Sequence, residues 1–273
     1  MPEKPEVITV KNTLKKHLLG KTITNCRVYW DNIISYPSKD EFIERVLNQT
    51  IHDIQTRGKF LLFLLDQDVL LIHLRMEGKF LFRTEKDPIE KHEHVDFVLD
   101  KDISFRFHDV RKFGKMYLID KDKVFTSKPL SDLGYEYDDS NLTKQYLHNR
   151  FKNKNIPIKS ALLDQSIIAG IGNIYADEIL FLSQVSPFRE SCKLSLRECH
   201  LLIHSCRCVM EKAISLGGTT IKSFTSSEGV HGLFQNELLV HGKEKDPCPY
   251  CSTPILKVKI GGRGTYYCKK CQK

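Results

Sequence analysis

The chain has 273 residues, 41% hydrophobic and 28% charged, and its 42 Lys and Arg against 34 Asp and Glu give a formal net charge of +8. Such a chain can bury one large core or two ordinary ones plus a small appended module. Its longest apolar runs, Phe60 to Leu65 and Val69 to Ile72, fall far short of the roughly 18 residues a membrane span needs, and no basic-then-apolar leader opens it, so a cytoplasmic protein is expected.

Met1 is followed by Pro2, and a small second residue normally lets the initiator methionine be removed, leaving a prolyl secondary amine. An α-amino group titrates near roughly pH 8, so a fraction is neutral and nucleophilic near neutrality. A secondary amine that attacks a sugar C1′ forms a charged iminium. That electron sink acidifies the C2′ proton and permits elimination of the attached phosphates. Glu3, next in the chain, can act as general acid and base. The same residues also make a good helix start, with Pro5 in the first turn and Glu3 and Glu6 complementing the dipole, so both readings stand on the residues alone. A helix over 2–19 is predicted from Val7, Val10, Leu14 and Leu18 on one face, with Gly20 able to end it.

Short segments rich in β-branched and aromatic residues follow at 22–30, 50–56, 59–65, 69–74, 78–83, 94–99, 103–108 and 115–119. They predict a sandwich or flattened barrel. From Ser131 the pattern turns helical, at 142–151, 158–164, 174–183, 195–216 and 219–224. The fold class is therefore α+β, with domains expected at 1–130, 131–238 and 239–273. Cys26, Cys192, Cys199, Cys206 and Cys208 show no pairing pattern and fit free thiols of a reducing compartment. In the junction from Leu163 to Glu178, Gly170 and Gly172 permit a tight turn between two helices, and Asn173 is placed to cap the second. A phosphate can sit at such a helix N-terminus, although plain helix-turn-helix architecture explains the same residues.

The clearest signal lies at the end. Cys248 and Cys251, then sixteen residues, then Cys268 and Cys271, form two Cys-x2-Cys pairs. Each short loop presents two thiolates, and the intervening hairpin brings the pairs onto one tetrahedral Zn2+. Four cysteine ligands leave no open position, so one structural zinc is expected, contributing folding energy that so small a core lacks. From Gly242 onward eight Lys and Arg face two acids, a net of +6 within a chain of +8. This concentration is the footprint of a nucleic-acid contact, with a solvated charged face as the plainer alternative.

Beyond these features the chain resembles the formamidopyrimidine-DNA glycosylases, a bacterial family that removes oxidised purines such as 8-oxoguanine. The likeness starts at Met1-Pro-Glu-Lys-Pro-Glu-Val7 and continues through Arg57-Gly-Lys-Phe-Leu-Leu62, His73-Leu-Arg-Met-Glu-Gly78, Lys91-His-Glu-His-Val-Asp96 and His108-Asp-Val-Arg-Lys-Phe-Gly114. It then runs through Ile158-Lys-Ser-Ala-Leu-Leu-Asp-Gln165, Ala169-Gly-Ile-Gly-Asn-Ile-Tyr175 and Gly217-Gly-Thr-Thr220 to the finger, in order over essentially the whole chain.

The resemblance implies an N-terminal helix plus β-sandwich, a helical domain with a helix-two-turn-helix, and a zinc β-hairpin. It implies a monomeric, bifunctional DNA glycosylase and AP lyase of base excision repair, acting on nucleoid DNA. Its partner would be double-stranded DNA holding damaged bases or abasic sites. By motif position, Pro2 would be the Schiff-base nucleophile and Glu3 the proton donor, with Lys59 assisting β-elimination and Arg263 δ-elimination, both against phosphates. Met76, Arg111 and Phe113 would fill the gap left by the extruded base: two apolar wedges and a guanidinium for the orphaned cytosine. His92, Lys154, Lys159 and Asn173 would contact the DNA backbone, Glu6 would face the flipped base, and the segment 225–234 would close over it. Read without the family, Met76 and Phe113 are core residues, Lys59 a turn lysine and Arg263 one more charge on a basic finger.

The chain departs from the family pattern at Lys4, where Leu is usual, at Ile8, where Glu is common, and at Arg75, which replaces a frequent Gly beside Met76 and can add a phosphate contact. The segment 226–232 varies within the family, so lesion preference follows less directly than reaction type. The competing readings are an endonuclease VIII-like enzyme for oxidised pyrimidines, a non-catalytic zinc-finger protein that binds damaged DNA, and a structural zinc module for a protein partner.

Overall fold

The computed structural model describes residues 1–219 and 232–273, which divide into two compact units. One comprises residues 1–131 together with Thr219 and Gly232, and the other residues 132–218 and 233–273.

The first unit opens with α1 (Lys4–Leu18), whose Val7, Val10, Leu14 and Leu18 are buried as their spacing predicts. Pro5 sits in its first turn, and Gly20, at φ +74°, turns the chain away after its end. There follow β1 (Ile23–Val28), β2 (Ile34–Tyr36), α2 (Lys39–Val46), β3 (Asp53–Arg57), β4 (Phe60–Leu64), β5 (Asp68–His73), β6 (Lys79–Thr84), β7 (Glu93–Leu99), β8 (Ile103–His108) and β9 (Lys115–Asp120). All eight expected strands are present, whereas β2 and α2 were not anticipated. β2 has three residues and pairs in parallel with β9. α2 buries only Phe42 and Val46, one i, i+4 pair, too short a repeat to stand out from a charged segment. Its Ser38 cap accepts the N–H of Glu41.

The strands form two sheets, ordered β1-β7-β8-β6 and β2-β9-β5-β4-β3. Alternate side chains of both sheets meet in one core, where Phe63 of the five-stranded sheet lies 6.2 Å from both Phe80 and Phe105 of the other. The architecture is thus a sandwich rather than a closed barrel. β5 and β7 are buried along their whole length; β5 is apolar from Val69 to Ile72, whereas β7 buries Glu93, His94 and Asp96 among its apolar residues.

In the second unit α3 (Lys144–Phe151), α4 (Ile158–Leu163), α5 (Asn173–Leu182) and α6 (Leu196–Ser215) precede a hairpin of β10 (Leu256–Ile260) and β11 (Arg263–Tyr267). α3 begins two residues later than expected because Thr143 accepts the N–H of Tyr146 and so caps it. Ser195 and Glu198 form a capping box at the start of α6. The helices share a core containing Leu147, Phe151, Ile179, Leu180, Leu202 and Met210. Cys248, Ile255 and Cys268 form a smaller core with Phe181 and Val240, and Tyr250 stacks on Phe181 at 5.0 Å. The predicted helix at 219–224 lies outside the described residues except for Thr219, which is not helical, and 225–231 of the expected closing segment lie outside them as well. Among the described residues no helix is long and apolar enough to cross a membrane.

Gly78 illustrates how tightly the sandwich rim is built. A Cβ there would lie 2.5 Å from Leu74 O and 2.6 Å from Cζ of Phe107, and the Gly78 N–H already donates to that carbonyl at 3.0 Å. Gly78→Ala should therefore cost about 1–3 kcal/mol, seen as a lower urea midpoint at unchanged m-value.

Candidate active site and nucleic-acid interface

Around the N-terminus, Pro2, Glu3, Glu6 and Lys59 are all buried within the first unit. Glu6, one turn into α1, holds this segment in shape. Its Oε2 accepts the Glu3 N–H at 2.9 Å, and its Oε1 accepts the Thr219 N–H at 2.8 Å and the Thr219 hydroxyl at 3.1 Å. Both oxygens therefore accept hydrogen bonds from the protein, which lets Glu6 position the residues around the N-terminus. Lys59 follows Gly58, at φ +55°, in the two-residue turn that closes the β3–β4 register at Arg57 and Phe60. The same hairpin receives Lys4, whose Nζ donates to Thr56 Oγ1 at 2.9 Å. Burial holds the Met1 α-amine below its ordinary value of 8.0; Glu3 and Glu6 pull the other way, and Lys59 adds to the lowering. An amine in this place is more readily neutral than one in water.

His73, at the end of β5, is enclosed, and burial, with Arg75 and Lys59 nearby, pushes its imidazole down to about 3. Nδ1 accepts the Arg75 N–H at 2.9 Å, which leaves the neutral ring protonated on Nε2. That bond supports the left-handed φ of +55° at Arg75 and shapes the turn that displays Met76, half-buried.

Arg111 and Phe113 are exposed on a loop organised by Asp109, a fully buried carboxylate. It accepts the N–H groups of Arg111 at 3.1 Å, Phe113 at 2.8 Å and Gly114 at 2.7 Å. His94 Nε2 donates to the Asp109 carbonyl at 2.7 Å. A Cβ at Gly114 would meet the Phe107 ring at 2.6 Å, as one at Gly78 would, so a single aromatic ring lies under both the Met76 turn and the Arg111–Phe113 loop. His92 precedes β7 at φ +77°. The loop before it is gathered by Arg106, fully buried, whose five N–H donors reach Ser104, Glu93 and the carbonyls of Thr84, Asp87 and Pro88. Asp109, Arg106 and Thr219 were not anticipated. A short polar residue ahead of a turn was the one available signal for Asp109, and nothing local marks the others.

In the second unit Gly170, at φ +99°, makes the turn before α5, and Gly172 caps that helix. Asn173 is not the cap. Already helical, it stands at the first position of α5 and directs its amide outward instead, donating from Nδ2 to Gly264 O at 2.9 Å. Gly264 adjoins Arg263, which is exposed at the hairpin turn beside Gly261 and Gly262. Asn173 and Arg263 are thereby brought together. Lys154, half-buried, pairs with Asp164 at 3.2 Å. Lys159 departs from expectation: it is fully buried, with its ammonium paired to Asp177 and donating to Asn173 O at 3.0 Å. An ammonium enclosed by these partners supports the start of α5 rather than reaching a phosphate. His241 Nδ1 meets the second Asp177 oxygen at 2.7 Å.

The sulfurs of Cys248, Cys251, Cys268 and Cys271 all lie within 4.8 Å of one another, with Cys248 to Cys271 at 3.8 Å and Cys251 to Cys268 at 3.4 Å. Zn–S bonds of about 2.3 Å in a tetrahedron require S···S edges of about 3.8 Å. The donor set and spacing fit one structural zinc.

The chain is similar to known proteins over its whole length. Residues 1–116 match the model of the formamidopyrimidine-DNA glycosylase N-terminal domain, residues 133–225 that of the formamidopyrimidine-DNA glycosylase H2TH domain, and residues 245–273 that of the zinc finger found in FPG and IleRS. The formamidopyrimidine-DNA glycosylase of Oceanobacillus iheyensis is 44% identical over 273 residues, covering 100% of this chain and 98% of the relative. That of Bacillus subtilis is 43% identical, covering 100% and 99%. Among solved structures, a complex of Lactococcus lactis Fpg with abasic-site DNA superposes with a TM-score of 0.91 at 36% identity, covering 99% of each chain. A complex of the same protein with N7-benzyl-Fapy-dG DNA gives 0.91 at 36% identity and 100% coverage of both.

Two outcomes follow from the geometry. Cys268→Ser should abolish stoichiometric zinc, measured by metal analysis of the purified chain; undiminished zinc would reject the four-thiolate site. For His73 the folded value lies below the unfolded 6.5, so the unfolded chain takes up the proton. Its contribution is complete above pH 6.5 and declines as the pH falls toward about 3. Urea unfolding across that range should show a steeper acid-side loss in the wild type than in His73→Gln.

Proposed function

The chain belongs to the formamidopyrimidine-DNA glycosylase family, and from that membership and the buried N-terminal cluster we propose that it excises oxidised purines from duplex DNA and then cleaves the strand at the resulting abasic sugar. The observation that carries this reading is the burial of Pro2, Glu3 and Lys59 and the depressed N-terminal α-amine on which both Glu3 and Lys59 act.

In this mechanism removal of Met1 frees the Pro2 nitrogen. Its lone pair attacks C1′ of the damaged nucleotide, the glycosidic bond breaks, and its electrons leave with the base. Glu3 gives a proton to the sugar ring oxygen as the ring opens, and an iminium joins Pro2 to C1′. Loss of the C2′ proton then expels the 3′ phosphate, and a second elimination expels the 5′ phosphate. Hydrolysis of the iminium returns the amine. Lys59 would neutralise charge at the first departure and Arg263 at the second, as cations suited to phosphate oxygens.

Met76, Arg111 and Phe113 would occupy the gap left by the extruded base. Asn173 and Arg263, together at the α5 start and hairpin turn, would hold the backbone, with His92 and Lys154 as further contacts. Lys159 and Glu6 act in this scheme by positioning. The zinc supports the hairpin that carries Arg263. The chain works as a monomer in a bacterial cytoplasm, on the DNA of the nucleoid.

Borohydride trapping on a duplex with 8-oxoguanine opposite cytosine, followed by mass mapping of the adduct, tests the proposal. An adduct on Pro2 is expected, and Pro2→Gly should slow strand cleavage by roughly two orders of magnitude or more. An adduct on a lysine, or undiminished cleavage by the variant, would remove Pro2 as nucleophile. Faster excision of thymine glycol than of 8-oxoguanine would assign the oxidised-pyrimidine specificity instead.

A further inference from the structure

Arg111, Lys112 and Phe113 are consecutive and exposed, yet their side chains divide. The Arg111 guanidinium carbon lies 4.9 Å from the Phe113 ring centroid, so these two stand together. The Lys112 ammonium instead lies 4.1 Å from the centroid of the Trp30 ring. Lys112 is held at φ +57°, a left-handed conformation that a non-glycine residue keeps only where its surroundings impose it. Its own N–H reaches Asp109 O at a long 3.3 Å. Beyond the loop, Lys115 Nζ donates to Asn32 O at 2.6 Å. The segment leaving β1 therefore holds the loop through Trp30 and the start of the following strand through Asn32.

We propose that Trp30 is a positioning residue for gap filling: by holding Lys112, its indole fixes the side on which Arg111 and Phe113 are displayed. The inference rests on the reading of those two residues given above. Asp109 binds the N–H groups of residues 111, 113 and 114, which sets the path of the backbone. It does not set where the Lys112 side chain goes. The indole is the strongest cation acceptor among aromatic faces, and a half-buried one removes part of the competing water. With the ammonium anchored on the indole, the Lys112 side chain is kept off the Arg111–Phe113 pair, which stands together. Without the indole, Lys112 regains its rotamers and can relax to an ordinary φ. The Arg111–Phe113 pair would then lose its fixed direction.

The property that depends on this direction is opposite-base discrimination, because Arg111 must meet an orphaned cytosine. Single-turnover excision of 8-oxoguanine opposite cytosine and opposite adenine is measured for the wild type, Trp30→Ala, Trp30→Phe and Arg111→Ala. Trp30→Ala should lower the cytosine-over-adenine rate ratio about fivefold, and Trp30→Phe, which keeps a ring, should recover most of it. A merely structural role would slow both substrates alike, so an unchanged ratio in Trp30→Ala, whatever the absolute rates, overturns the proposal. If Arg111→Ala also leaves the ratio unchanged, the gap-filling reading itself fails and takes the inference with it. Trp30 is the only tryptophan in the chain. Its emission maximum should therefore shift in Lys112→Met, and an unmoved spectrum would contradict the contact.

Discussion

A buried carboxylate that accepts several backbone N–H groups is the interaction on which the candidate chemistry depends, and among the described residues it occurs three times. Glu6 binds Glu3 and Thr219 around the N-terminus. Asp109 binds Arg111, Phe113 and Gly114. Glu178 binds Leu239, Val240 and His241, the segment leading into the zinc module. Hydrogen bonds to a charged acceptor contribute about 1.5–3 kcal/mol each, enough to fix irregular backbone that neither helix nor sheet would hold. Burial raises the Glu178 carboxyl above its ordinary value, and the three N–H donors oppose that rise. Asp109 arranges residues beside it in the chain, whereas Glu6 and Glu178 reach segments distant in sequence.

Much of this was legible in the residues. The 3.6-residue spacing of Val7, Val10, Leu14 and Leu18 placed α1, and short segments rich in β-branched and aromatic residues placed every strand of the first unit longer than three residues. The cysteine spacing placed the zinc site because a metal demands donors at a fixed separation, which short loops state directly. What stayed hidden depends on partners distant in sequence. Asn173 looks like a cap from its neighbours alone, but its amide partner is Gly264, 91 residues away. Lys159 looks like a surface cation, yet Asp177 and the carbonyl of Asn173 enclose it. The β-turn text around Lys59 similarly gives no hint that the turn is buried.

The enclosed charges also bear on how the basic surface is organised. Arg106 and Lys159 are as cationic as any residue of the finger, but each is completely surrounded by acceptors. Replacing one partner would strand a charge in a low dielectric, which costs far more than losing a surface pair. The cations left at the surface are concentrated from Gly242 onward, where the local net charge is +6. Composition alone therefore overstates how many basic groups can meet a polyanion, and burial sorts them.

The Glu6–Thr219 contact joins residues 213 positions apart. A ribosome extends the chain from its N-terminus, so Glu6 emerges long before its partner exists. An aminopeptidase acting on the growing chain would thus meet an N-terminus not yet closed by that contact. Only after residue 219 has been made can Thr219 engage Glu6 and complete the hydrogen bonding around the N-terminus. The order of synthesis would separate any trimming of Met1 from assembly of its surroundings, and a nascent chain released early would lack the partner that shapes its N-terminus.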